Sequence, residues 1–374
     1  MTMSGYKYIF WQNILSIHQA AFLRSLSENN QVLLVVEQAI SQNRLNDGWF
    51  IPDMGNTHIE IAPDKQKILS VIEMNKESIH VFSGINVYKN IQVAFEFAIK
   101  RRIKSVVISE SGNNDFLGSL RKIRTIIYRY QYSRHIDCIL AMGNLGVKWY
   151  TSALFRKRKI FPFLYTTEVP VSRGNNFNSA YEIDKYQIIV IAQCIRRKGI
   201  DLLLRALKRL GDKRWQLKII GDGIERNNLK NLSTKLKLQD QIDFLGSLSN
   251  EKAMELLGKS DLLVLPSRFD GWGAVVNEAL LRGIKVIASA NCGASCLLNE
   301  NWRGSVFLSG NSRQLATMIG NNINEGSTAA EQKHRIRDWS LQTISSNAVV
   351  NYFTEIMHWT FSGKTIRPIP PWST

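Results

Sequence analysis

Along most of the 374 residues, short apolar runs of strand length alternate with longer stretches in which apolar positions recur every three or four residues. In the first half the runs predict strands at 7–10, 31–36, 57–62, 78–82, 104–109, 136–142 and 159–164. A helix is predicted to begin near Ser16, and others to cover 90–100 and 117–132. Strands alternating with helices argue an α/β chain with a parallel sheet covered on both faces. The periodicity stops after Tyr165. Residues 166–182 are polar and turn-rich, with Pro170, Gly174, Asn175, Asn176 and Asn178, and read as a link between domains. The alternation resumes with a strand at 186–192 and a helix after Gly199 whose Leu203, Ala206, Leu207 and Leu210 share one face. A strand is predicted at 241–245. The run DWSLQTISSNAVVNYFTEIMHW reads as one helix packing through Leu341, Ile344, Val349 and Phe353. The tail from Ser362, with Pro368, Pro370 and Pro371, is expected to be extended and poorly ordered.

The chemistry concentrates in residues 261–289, DLLVLPSRFDGWGAVVNEALLRGIKVIAS. A strand closed by Pro266, a Gly-containing turn, a helix over 274–282 stopped by Gly283, and a second strand at 285–289 make a βαβ unit. Ligands of such units bind at the carboxyl edge of the strands. Asp270 stands at the turn and Glu278 lies in the helix behind it, leaning back toward the same edge. Gly271 and Gly273 let the backbone approach a ligand closely, and the amides opening the helix favour phosphate. Carboxylates chelate neighbouring sugar hydroxyls, so the pattern calls for a phosphorylated sugar. Two carboxylates that merely cap a nucleotide-fold helix are the plainer alternative.

The run PSRFDGWGAVVNEALLRGIKVIAS resembles the carboxyl-domain signature of family 4 glycosyltransferases, retaining enzymes of the two-domain GT-B fold. The resemblance extends through the second half of the chain and more loosely into the first. It implies two Rossmann-like domains facing a cleft: residues 1–165 on the acceptor side, the link 166–182, a nucleotide-sugar-binding domain 183–337, and residues 338–374 as a helix crossing back to the first domain and a Pro-rich tail. The paired acids of the family are usually two Glu, and the first is Asp270 here. By the same resemblance Glu278 holds ribose hydroxyls and Asp270 contacts the donor sugar. Lys198, followed by Gly199 and preceded by Arg197, stabilises charge on the departing diphosphate. Where relatives carry an arginine before the Lys-Gly pair this chain has Gln193, so Arg196 or Arg197 must substitute. Gly271, Trp272, Gly273 and Gly223 complete the donor side. The chain has no glycine where relatives have a Gly-rich loop after the first strand; Ser16 is an N-cap there, and His18 either donates to phosphate, orients an acceptor hydroxyl, or is a partly exposed structural histidine. Glu110 occupies the position where many relatives have a histidine and is a candidate for the acceptor side. Where relatives show a Gly-Gly pair followed by an acid, this chain reads SANCGASC.

Composition narrows the partners. A formal net charge of +17 implies an anionic one: phosphorylated substrate, bilayer surface or nucleic acid. The basic runs 100–104, 121–135 and 155–163 interleave cations with aromatic and aliphatic residues, which favours an anionic membrane surface over nucleic acid. No apolar stretch of eighteen residues occurs, and the amino terminus lacks the pattern of a signal peptide, so the expectation is a cytoplasmic protein, peripheral on the inner face of the membrane. Cys138, Cys194, Cys292 and Cys296 are expected to be small buried residues rather than disulfides or zinc ligands. No Asp-x-Asp pair is present to hold a divalent metal, and no metal or cofactor is expected. The function expected is transfer of a hexose-type sugar from a nucleotide-diphosphate sugar to a lipid-linked or oligosaccharide acceptor of a bacterial surface glycan such as O-antigen or capsule. A nucleotide-sugar epimerase of the same fold, or a non-catalytic basic binding protein, are the alternatives.

Overall fold

The structure, a computed structural model, describes residues 7–40, 51–84, 88–112, 116–170, 185–211 and 214–373. The chain divides into two compact units, Met1–Thr167 with Ser346–Thr374, and Glu168–Ser345. Most of the expected link, residues 171–182, lies outside the described residues.

The first unit runs β1 (Tyr8–Gln12), α1 (Ile17–Ser27), β2 (Val32–Val36), β3 (His58–Ile61), α2 (Lys65–Met74), β4 (Ile79–Ser83), α3 (Lys89–Lys100), β5 (Ser105–Ser109), α4 (Phe116–Tyr132), β6 (Cys138–Met142), α5 (Gly143–Ser152) and β7 (Ile160–Phe163). Its seven described strands form one parallel sheet in the order β3-β2-β1-β4-β5-β6-β7. Strands β1, β2 and β6 are buried along their whole length, as unbroken apolar runs covered on both faces should be.

The second unit runs β8 (Tyr186–Ile191), α6 (Ile200–Leu210), β9 (Trp215–Ile220), α7 (Arg226–Lys235), β10 (Ile242–Gly246), α8 (Asn250–Gly258), β11 (Leu262–Leu265), α9 (Val275–Leu280), β12 (Lys285–Ser289), β13 (Gly304–Phe307), α10 (Ser312–Glu325) and α11 (Ala330–Thr343). Its parallel sheet has the order β10-β9-β8-β11-β12-β13. Leu203, Ala206 and Leu207 of α6 pack into the core beneath it as the sequence spacing predicts, beside Trp215, Leu217 and Ile219. From β8 the chain winds outward through β9 to β10, then returns to β11 on the other side. The sheet therefore changes direction between β8 and β11, and ligand crevices of open α/β sheets form at that switch.

The last helix, α12 (Ser346–Phe361), belongs to the first unit. Its Phe353 lies 5.3 Å from the ring of Tyr8 and 5.4 Å from that of Phe22, and is fully buried. Two expectations are corrected here. The run predicted as one helix is broken at Ile344, whose backbone leaves the helical region, and the Ser345 hydroxyl caps back onto the Leu341 carbonyl. The tail is not loose either. Arg367 stacks 4.5 Å over Phe161 and donates to the Ile160 carbonyl at 2.6 Å, while Trp372 is buried edge-on against Tyr352. An aromatic anchor and a cation with an apolar stem outweigh the entropy that a proline-rich composition alone predicts. All four cysteines are buried and unpaired with one another.

Candidate active site

Lys198 ends a short turn, Arg196–Lys198, that leaves β8 and enters α6 through Gly199. Gly199 has φ +68°, and a Cβ there would stand 2.1 Å from the carbonyl oxygen of Pro266, which follows β11. Only glycine lets the two strand exits lie this close. In consequence Lys198 Nζ sits 2.6 Å from Asp270 Oδ2, with the two side chains 16% and 11% exposed. The sequence separates these residues by 72 positions, and the switch point joins them.

Asp270 is held by its backbone as well. Its amide donates to the Asn291 carbonyl at 2.9 Å and its carbonyl accepts from the Gly293 amide at 3.0 Å, stitching the exit of β11 to the exit of β12. Gly273, at φ +90°, leaves no room for a side chain: a Cβ would meet Cys292 Sγ and the Leu265 side chain at 2.7 Å. Gly271 is buried in the same loop. Trp272 is placed differently from the donor contact expected of it. Its ring is buried and its indole N–H donates to the Asn277 side chain at 3.0 Å, so it braces the turn from inside.

Glu278 lies in the first turn of α9. It is set deep among protein atoms although part of its surface reaches solvent, and burial pushes its carboxyl up to about 7 against the opposing charge of Arg282. Among the described residues no donor bonds that carboxylate. Arg197 is exposed and reaches across to the Phe269 carbonyl at 3.1 Å, which puts a second cation beside Asp270. Gln193, in the place of the expected arginine, is also exposed. Gly223 lies in the exposed loop after β9, which is zipped to the exit of β8 by Cys194 N to Asp222 O and Glu225 N to Cys194 O, both 2.8 Å. The exits of β8, β9, β11 and β12 thus share one edge.

Two residues that sequence reasoning missed organise this edge. Arg268 forms a two-pronged ion pair with Asp201, both contacts at 2.7 Å. It also donates to the Arg196 carbonyl at 2.8 Å, and its amide donates to the Arg197 carbonyl at 2.9 Å. Burial works against the Asp201 carboxylate, but the hydrogen bonds and charge of Arg268 outweigh it and hold the pKa below the ordinary carboxylate value. An arginine two residues before the acid was visible in the sequence; its partner 67 positions away was not.

The remaining candidates belong to the first unit. Ser16 caps α1 by accepting from the His18 amide at 3.3 Å, and the His18 ring lies 6.3 Å from that of Tyr165. Glu110 is exposed just beyond β5. Among the described residues no group of three or more His, Cys, Asp or Glu side chains is arranged to hold a metal ion, and no helix is long and apolar enough to cross a membrane.

Cations gathered at a switch point suit a phosphate-bearing leaving group, and carboxylates beside them suit sugar hydroxyls. This is the equipment of a GT-B glycosyltransferase. Residues 175–339 match the profile of the family Glycosyl transferases group 1, so the chain carries a domain of that family. It is 22% identical over 283 residues to a 41.2 kDa protein in the cps region of Klebsiella pneumoniae, covering 72% of this chain and 77% of that one. It is 24% identical over 234 residues to the lipopolysaccharide core biosynthesis glycosyltransferase LpsE of Rhizobium meliloti, covering 61% and 66%. The fold matches the crystal structure of Anabaena Alr3699/HepE in complex with UDP, with a TM-score of 0.74, 16% identity, and coverage of 94% of this chain and 100% of that one.

Proposed function

We propose that the protein transfers a hexose-type sugar from a nucleotide-diphosphate donor to a lipid-linked or oligosaccharide acceptor during synthesis of a bacterial surface polysaccharide, with retention of anomeric configuration. The observation that carries this reading is the meeting of Lys198 with Asp270 at the β8–β11 switch point, with Arg197 beside them. In the donor complex Lys198 and Arg197 face the diphosphate, Glu278 accepts from ribose hydroxyls, and Asp270 accepts from the sugar. The bond from the sugar C1 to the diphosphate oxygen breaks with both electrons leaving on oxygen. An acceptor oxygen bonds to C1 and gives up its proton to the departing diphosphate. Charge grows on the diphosphate as the sugar becomes cationic, so cations fixed against the leaving group lower the barrier. They do so without a metal, and the reaction is proposed to be metal-independent. Retention and the place of His18 and Glu110 on the acceptor side rest on the family resemblance.

Helix α4 supports a bilayer as the acceptor's setting. Leu120, Ile123, Ile127 and Tyr130, spaced three, four and three apart, are each at least half exposed. Arg121, Lys122, Arg124 and Arg129 flank this stripe. An apolar stripe with basic flanks docks on an anionic surface, here the inner face of the cytoplasmic membrane. Nucleic acid is not a partner in this reading.

Two experiments test it. Incubation with nucleotide sugars and a membrane extract should release the nucleoside diphosphate only when acceptor is present and should survive a chelator; NMR of the product should show retained configuration. Release without acceptor gain, loss of activity in chelator, or an inverted product each removes the corresponding part. Sedimentation with vesicles of anionic lipid should be lost on Ile123→Asp with Ile127→Asp, and binding that persists in that variant moves the docking surface elsewhere.

A further inference from the structure

The Lys198–Asp270 pair does not hold itself. Lys198 ends a three-residue turn with no side-chain cap, and no bond within that turn fixes where it lies relative to the exit of β11. Besides the Arg197 bond to the Phe269 carbonyl and the close approach of Gly199 to Pro266, the contacts that do so pass through Arg268. Its guanidinium grips Asp201 with two bonds of 2.7 Å and the Arg196 carbonyl at 2.8 Å, and its amide bonds the Arg197 carbonyl at 2.9 Å. On the other side, the Arg268 carbonyl accepts from the Asn291 side chain at 3.0 Å and from the Ser309 hydroxyl at 3.3 Å. One residue therefore ties the loop carrying Lys198, the loop carrying Asp270, and the exits of β12 and β13. The planar fork of arginine is what makes this possible, because a lysine cannot grip a carboxylate with two parallel bonds and a carbonyl at once.

We propose that Arg268, anchored by Asp201, is the positioning residue that sets Lys198 in register with Asp270 and so aims it at the diphosphate of the donor. This rests on the donor reading of Lys198 given above. Arg268 touches neither sugar nor phosphate. It acts through the backbone of Arg196 and Arg197, and its loss frees the turn rather than removing a charge from the crevice.

The test has two arms. The first needs no substrate: brief acylation with an amine-reactive ester, read residue by residue by mass spectrometry. Lys285 is the internal control, since it lies in the same unit, is 12% exposed at the side chain, and pairs with Glu325 at 2.9 Å. In Arg268→Ala and in the milder Asp201→Asn, Lys198 should acylate several-fold faster while Lys285 does not change. The second arm measures the affinity of the native chain for UDP, GDP and ADP and takes the one that binds. Arg268→Ala and Arg268→Lys should each weaken it about tenfold, about 1.4 kcal/mol. In the Lys198→Ala background, Arg268→Ala should add much less, because only Arg197 is left to position. Lys198 acylation unchanged in both variants, or rising together with Lys285, overturns the proposal. So does a full further loss of affinity in the Lys198→Ala background. If none of the three nucleotides binds the native chain, the donor reading fails while the acylation arm still decides whether Arg268 positions Lys198.

Discussion

Glu278→Gln should stabilise the protein far more at pH 8 than at pH 5. In the native chain burial raises this carboxyl to about 7, against an ordinary 4.5. Between those values the folded state keeps a proton that the unfolded chain has released. More protons bound in the folded state means that stability falls as pH rises through the window. The gap corresponds to about 3 kcal/mol at most, and the partial contact of Glu278 with solvent lowers that figure. Below pH 4.5 both states are protonated and the penalty vanishes. Glutamine copies the protonated form in shape and neutrality, so it escapes the penalty above pH 7. The assay is urea unfolding of the ligand-free protein at pH 5 and pH 8, followed by tryptophan fluorescence, for both chains. Taking the difference between variant and native at each pH cancels every other titrating group. A gain of one to about 3 kcal/mol at pH 8, with about a quarter of that at pH 5, is expected. Equal differences at the two pH values refute the reasoning. The same variant should bind nucleoside diphosphate less tightly, since a neutral amide is a poorer acceptor for two ribose hydroxyls. A residue kept at a cost to stability and needed for a ligand is what a site predicts and a helix cap does not.

Three further outcomes follow from the packing. His80 is buried with its pKa lowered to about 4 from 6.5, chiefly by burial, and accepts from the Trp11 indole at 3.2 Å. The unfolded chain takes up a proton that the folded one refuses, so acidification from pH 6.5 to 4 should cost up to about 3 kcal/mol, and His80→Asn should flatten that slope in acid unfolding curves. Gly199→Ala forces a left-handed alanine against the Pro266 carbonyl and should lose more than about 1 to 2 kcal/mol by thermal unfolding; an unchanged midpoint would contradict the close approach of β8 and β11. Phe353→Ala empties a fully buried site among aromatic rings and should cost about 3–5 kcal/mol in the first unit's transition, with nucleotide affinity nearly unchanged.

How much of this was legible in the sequence depends on the range of the interaction. Most strands were readable because they are short apolar runs, and residues 285–289 came out as read, while β13, the run GSVF, was not foreseen. The helix stop at Gly283 was readable because a left-handed residue, here φ +74°, is nearly always glycine. The Lys-Gly pair and the acids eight positions apart carried local signals too. What local pattern does not encode is pairing across the sheet. Lys198 with Asp270 and Asp201 with Arg268 join loops that only the strand order brings together. The resemblance put Trp272 on the donor side, but sequence does not show that its ring has a buried partner in Asn277. The break after Thr343 has no proline or glycine to announce it, and the tail was misread because composition does not show that Trp372 has an aromatic neighbour to dock on.

The central claim is that the second unit holds a nucleotide-diphosphate sugar at the switch point through Lys198 and Glu278. The measurement that tests it most directly is isothermal titration of UDP, GDP and ADP, with chelator present, onto the native chain and onto Lys198→Ala and Glu278→Ala. The account predicts that one nucleotide binds the native chain and that each substitution weakens it at least tenfold, about 1.4 kcal/mol, while the folded state persists. Binding of equal strength to all three chains, or to none, would contradict it.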